Sequence, residues 1–336
     1  MKHLLVWMLF ALLGSGRLVL ADPVEDWRQA NERVDQAGGW KAYAREIAAD
    51  AAQPATDTAS PKNLLSLQVA ISRALALDPG LEQSLARISR SPADYLLLRD
   101  QDRAALSHEA RLIAQVSGLY HAAVAAQERV AHRQQVAEVA SIAAELATRM
   151  RKVGNLNLLH QAEEQLSSAQ TQKSLSEARV AAGAAREALI RRLQLDAQAT
   201  EFALPSRLPD APPQPALPSP TDMALLRVQV SHPETIALQS AVREAMLARD
   251  EAFSQVQHHR QEILPLQKRI SEEHLLHYNG MIIGVFELLK DAKHQTEAVE
   301  GYLRALSAYW QAEHALTPKI FALREQLAQT RRDAWK

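Results

Sequence analysis

Small apolar residues recur along the chain at alternating steps of three and four. Val116, Leu119, Ala123, Ala126, Val130, Arg133, Ala137, Ala140, Ala144 and Ala147 keep that rhythm, with Arg133 the one polar member. Such steps put every member on one side of a helix, the heptad seam of a coiled coil. Gly154 stops this helix. Leu159, Ala162, Leu166 and Ala169, then Leu175, Ala178, Ala182, Ala185 and Leu189, carry the seam of the next. Two long helices joined by so short a connection must run antiparallel, so the spacing predicts an αα-hairpin turning at Val153, Gly154, Asn155 and Leu156.

The second half repeats the arrangement. Val242, Ala245, Arg249, Ala252, Val256, His259, Ile263, Leu266 and Ile270 step by three and four, with Arg249 and His259 as polar seam positions. Tyr278-Asn279-Gly280 ends that helix, and Val285, Leu288, Ala292, Gln295, Val299, Tyr302, Leu306 and Tyr309 carry the last one. Setting Val153-Gly154-Asn155-Leu156 over Gly280-Met281-Ile282-Ile283 superposes the two turns at an offset of 127 residues. The halves therefore read as a tandem duplication of one hairpin.

Punctuation divides the rest. Seven of the 15 prolines fall between Pro205 and Pro220, a stretch that suits neither helix nor central strand. A shorter break at 53–62 follows an expected helix at 24–50. A short helix from Leu64 to Leu77 then meets Asp78-Pro79, and Ser91-Pro92 is read as the start of the next. Met1-Lys2-His3, the apolar run Leu4 to Leu13 and Val19-Leu20-Ala21 before Asp22 have the form of an export signal. The expected organisation is a signal peptide at 1–21, an N-terminal helix and linker at 22–62, a first hairpin half at 63–203, a Pro-rich linker at 204–222 and a second half at 223–336.

Composition narrows the function classes. The chain has 336 residues, 59 of them alanine and only 16 aromatic, so its apolar content suits long helices more than a bulky enzyme core. Ala in a seam lets helices approach closely but buries little area per residue, which favours hairpins packed side by side in an oligomer. The net charge of −1 gives no broad footprint for nucleic acid, and the absence of cysteine excludes disulfide, Cys-zinc and thiol chemistry. No cofactor motif or catalytic constellation appears, so no enzyme is expected. His274 and His277, one turn apart, are the only weak metal-ligand candidates; helical histidines on a solvated face are the simpler reading.

The segment Tyr278 to Leu289, preceded by Ile263 to Ile270 and followed by Tyr302 to Trp310, resembles the last helical hairpin of the TolC family of outer-membrane efflux proteins, above all its metal-efflux-like branch. The first hairpin agrees through Ala122 to Gln127, Ala144 to Met150 and Val153 to Leu156, and Phe202 to Pro209 is similar to the family's mid-chain connector. The resemblance implies an all-α body of two tandem antiparallel coiled-coil hairpins plus short N-terminal helices. It implies a trimer forming a periplasmic duct in a tripartite efflux system, for metal ions or small molecules, with a periplasmic adaptor protein and an inner-membrane pump as partners. The turns, with Val153, Gly154, Asn155, Leu156, Gly280, Met281 and Gly284, would meet the adaptor. His160 stands where the second hairpin has Glu287, so an acidic ring at the tips would be incomplete. The family's barrel needs strands of ~9 to 11 alternating residues, and none is found; the best alternation, Leu226 to Val230, is five residues long. An exported protein, outer-membrane-associated or periplasmic, is expected, and a non-conducting periplasmic scaffold is the alternative.

Overall fold

The computed structural model describes residues 64–88, 98–195, 202–216, 218–229 and 231–333. All belong to one of two compact units, Pro61–Lys336. The export signal and the 24–50 helix lie outside the described residues, as does Ser91-Pro92.

Two short helices open the described chain. The Ser66 hydroxyl accepts from the Val69 N–H and caps α1 (Leu67–Ala76). Asp78 caps α2 (Pro79–Ala86) in the same way, with Pro79 in the first turn, where a missing N–H costs nothing. The first hairpin is α3 (Asp100–Lys152) and α4 (Leu158–Leu193). At 53 residues, α3 is ~80 Å long. After a six-residue helix, α5 (Pro220–Leu225), the second hairpin rises through α6 (Pro233–His258), a π-helical turn at His259–Ile263 and α7 (Leu264–Asn279), and returns as α8 (Val285–Asp333). Each hairpin packs on itself and α8 packs on α3, so the helices form a row: α4, α3, α8, then α6 with α7. Among the described residues the only β pairing is one bridge, Leu64 to Ala203.

The α3 seam lies inward as its spacing predicts: six of its ten members are buried and none is exposed. Two other seams change phase. In α4, Leu175 and Leu189 are buried, but Leu159, Ala162, Leu166 and Ala169 face outward, while Gln161, Glu164, Ser168 and Thr171 lie toward α3. The interval from Ala169 to Leu175 breaks the three-four rhythm, and that break marks the change of face. In α6 the seam holds through Val256, then Leu266 and Ile270 emerge at 52% and 47% exposure. Pro265 has no N–H for the Gln261 carbonyl, the ladder loosens into the π turn, and the extra residue rotates the following face by about 100°.

The main core gathers around α3, with Ala70, Val116, Val124, Leu189, Leu193, Leu306 and Tyr309. Over it lie residues 202–216 and 218–219 of the Pro-rich segment, a strap without helix. Extended proline-rich backbone makes no internal hydrogen bonds, so its polar groups take partners from the helices. Arg186 of α4 donates to the Phe202 carbonyl and stacks 4.0 Å over that ring. The Leu208 N–H donates to the buried Glu128 carboxylate of α3 at 2.8 Å. From α8, Trp310 Nε1 donates to the Pro209 carbonyl at 2.8 Å and the Tyr302 hydroxyl to Asp210 at 2.9 Å. Arg249 of α6, 1% exposed, donates to the Ala216 carbonyl at 2.7 Å. The strap thus crosses the whole row, and the polar seam position Arg249 is explained by holding it. The other polar position of that half, His259, lies against Gly301, where an added Cβ would come 2.7 Å from the His259 Cε1.

Candidate functional site

Sequence repetition makes the two hairpin turns alike in detail. The chain leaves the helix after Lys152 and after Asn279 and re-enters at Leu158 and Val285, each pair 127 residues apart. In the first turn the Asn155 N–H donates to the Met150 carbonyl at 2.9 Å; in the second, Ile282 donates to His277 at 2.8 Å. These long reverse bonds close a Schellman turn, which needs one left-handed residue between them. That residue is Gly154 (φ +81°) in the first turn and Met281 (φ +58°) in the second. Gly280, which the sequence suggests for the left-handed place, has φ −78°; the offset of 127 pairs Gly154 with Met281 instead.

The helix starts after the turns differ. Asn157 accepts from the His160 N–H at 2.8 Å and caps α4. Gly284 holds the equivalent place before α8, and the Glu287 carboxylate folds back to 3.0 Å from where a Cβ on Gly284 would lie. His160 meets Phe286 edge to face, ring centres 5.0 Å apart, so the histidine in the acid's place joins the two hairpins near their ends. The turns present apolar side chains to solvent: Val153, Met281 and Ile282 are 71%, 81% and 72% exposed.

His274 lies across the second hairpin from Asp291, Nδ1 to Oδ1 3.1 Å, and Gln267 donates to the same oxygen. Asp291 is buried, so this trio braces α7 against α8, and His277 is exposed one turn on. Among the described residues no three metal-ligating side chains converge.

Sequence reasoning missed the outer edges of the row. Leu158, Leu159 and Leu166 on α4 are 63%, 68% and 59% exposed, and Leu266, Ile270 and Leu276 line α7 at the other edge. The signal was two seam residues on each helix, Leu159 with Leu166 and Leu266 with Ile270, that belong to no inward face. No described helix is long and apolar enough to cross a membrane.

No family model and no curated protein match the chain. Solved structures do. A crystal structure of CusC, concerned with conformational changes accompanying folding and transmembrane channel formation, matches with a TM-score of 0.56 at 12% identity, over 78% of this chain and 97% of that one. A crystal structure of a membrane protein from Pseudomonas aeruginosa matches with a TM-score of 0.54 at 13% identity, over 80% of this chain and 98% of that one. At such identities the likeness is one of fold. The architecture that the TolC-family resemblance implies, two tandem long helical hairpins, is the architecture found, and its fold is shared with these two structures.

Proposed function

We propose that the chain is an exported component of a tripartite efflux system, forming or supporting a periplasmic helical duct for metal ions or small molecules. The observation that carries this reading is the row of four helices with apolar side chains on both outer edges. Leu158, Leu159 and Leu166 at one edge and Leu266, Ile270 and Leu276 at the other run back from the turns along the helices and are too numerous to be isolated surface residues. Edge-to-edge packing of copies is head-to-tail, and such contacts close into a ring when the rotation allows; the family resemblance sets the ring at three copies. The exposed Val153, Met281 and Ile282 then form an apolar end to which a periplasmic adaptor docks, with an inner-membrane pump beyond it.

One observation favours the second reading, a periplasmic scaffold that conducts nothing. Only Leu226 to His232 connect α5 to α6, where the resemblance expects a pair of membrane strands. Fractionation separates the two: resistance to carbonate extraction from the outer membrane supports the duct, and a freely soluble periplasmic pool supports the scaffold. Efflux itself is tested by deletion and complementation. Loss of resistance to a metal or small-molecule panel is expected on deletion, with failure of rescue by Met281→Asp combined with Ile282→Asp. Unchanged resistance on deletion sinks the efflux reading, and full rescue by the tip variant sinks the docking.

A further inference from the structure

Away from the tips, two imidazoles touch across the junction of the hairpins. His121 Nδ1 of α3 and His314 Nε2 of α8 are 2.8 Å apart, with ring centres 4.9 Å apart and planes inclined at 27°. A nitrogen contact that short between centres that far apart means the rings meet edge to edge and nearly coplanar. One ring donates its N–H to the lone pair of the other, as only a neutral pair or a singly protonated one can do. Trp310 lies against both rings, at 4.9 Å from His121 and 5.9 Å from His314, and its indole N–H holds the strap at Pro209. One cluster therefore joins the first hairpin, the second hairpin and the strap.

We propose that His121 and His314 form an acid-operated latch, closed while the pair shares one hydrogen between the facing nitrogens and released when both rings are protonated.

Three features set the latch here. When each facing nitrogen carries hydrogen, the shared bond is lost and two cations confront each other in a site from which His121 is 95% withdrawn (5% exposed). The neighbourhood offers no neutralising acid. On α8, Glu313 is turned to Arg249 of α6; on the strap, Asp210 takes the Tyr302 hydroxyl; on α3 and α4 the nearby charges are Arg111 and Arg192, both cationic, the latter bonded to Gln115. Burial, joined at His121 by the neighbouring His314, accordingly holds both imidazoles well down, to about 4. Finally, an open groove of about 460 Å³ beside His314, lined by Ala114, Gly118 and Pro318, gives water and protons access. Pro318 also leaves the His314 carbonyl without its helical N–H partner, so α8 is weakest at the latch itself.

The test uses the full chain, which has no native cysteine. Nitroxide labels on cysteines at the exposed positions Gln127 of α3 and Ala308 of α8 report the hairpin separation by pulsed EPR, with helix content followed by circular dichroism. A reversible widening between pH 6 and pH 3 at constant helix content is expected, and its loss in His121→Asn combined with His314→Gln, whose amides do not titrate. A separation that stays constant to pH 3 overturns the proposal, as does the same widening in the double variant. Ring NMR of the unsubstituted chain needs no variant: both rings titrating as a coupled pair near pH 4 supports the latch, and either one titrating near 6.5 overturns it.

Discussion

A methionine in the left-handed region and a glycine at the equivalent place of the duplicate turn make a paired stability test. The left-handed backbone costs a residue with a Cβ ~1 kcal/mol, and Met281 is 81% exposed, so it gains little packing in return. Met281→Gly is expected to stabilise the chain by up to ~1 kcal/mol, and Gly154→Ala to destabilise it by about the same. Urea unfolding followed by circular dichroism reads both; equal signs would show that the turns are not equivalent. That Met281 persists at a costly conformation agrees with a tip that uses its side chain. Gly301 gives a second residue-scale test. An alanine there pushes against the His259 ring, with an expected cost of ~1 to 3 kcal/mol from overpacking. Adding His259→Ala should recover most of that loss, a coupling measured by the double-mutant cycle.

The strap is the element that joins everything else, and its hold depends on a few buried side chains. Arg249→Leu leaves the Ala216 carbonyl without its donor and Glu313 without its cation, and is expected to cost about 3 kcal/mol. Limited proteolysis should then cut within 205–219 while the hairpins stay whole. Glu128 at the other side of the strap has a carboxyl raised by burial, only partly offset by the Leu208 N–H and Arg207. A raised acid stabilises most below its ordinary value near 4.5 and loses that contribution as pH rises through its folded value. Glu128→Gln keeps an acceptor for Leu208, so the variant should match the parent at pH 4 and exceed it at pH 8 in thermal midpoint. Hairpins and turns were legible because an α-helix imposes a fixed period and a helix-to-helix turn needs few residues. The strap contacts were not, since an extended segment has no period and Arg249, Tyr302 and Trp310 lie 33, 92 and 101 residues from their partners. The faces of α4 and α7 were half legible: the step from Ala169 to Leu175 and Pro265 were visible, but which side each resulting phase would bury depends on α3 and α8.

At the scale of the whole molecule, the two edges decide whether the chain acts alone. The α4 edge carries leucines, and the α7 edge leucines and an isoleucine, that a solitary hairpin pair leaves in water, and each is adjacent to polar positions that pack inward instead. Because the edges are different surfaces, copies joining α4 to α7 use each edge once, and a charge on either one alone should break every contact of the ring. Leu159→Glu with Leu166→Glu, or separately Leu266→Glu with Ile270→Glu, is expected to convert an assembly to monomer without lowering helix content, since all four side chains are at least 47% exposed. Mass photometry of the purified chain reads the stoichiometry directly. Mixing the two edge variants sharpens the outcome: each retains one intact edge, so a heterodimer should form through the single undamaged α4 to α7 contact, and a ring should not. An unchanged mass in both variants would place the interface elsewhere and remove the main support for a duct. Loss of assembly in only one would mean that copies meet through like edges, a two-fold contact that closes as a dimer and encloses no channel.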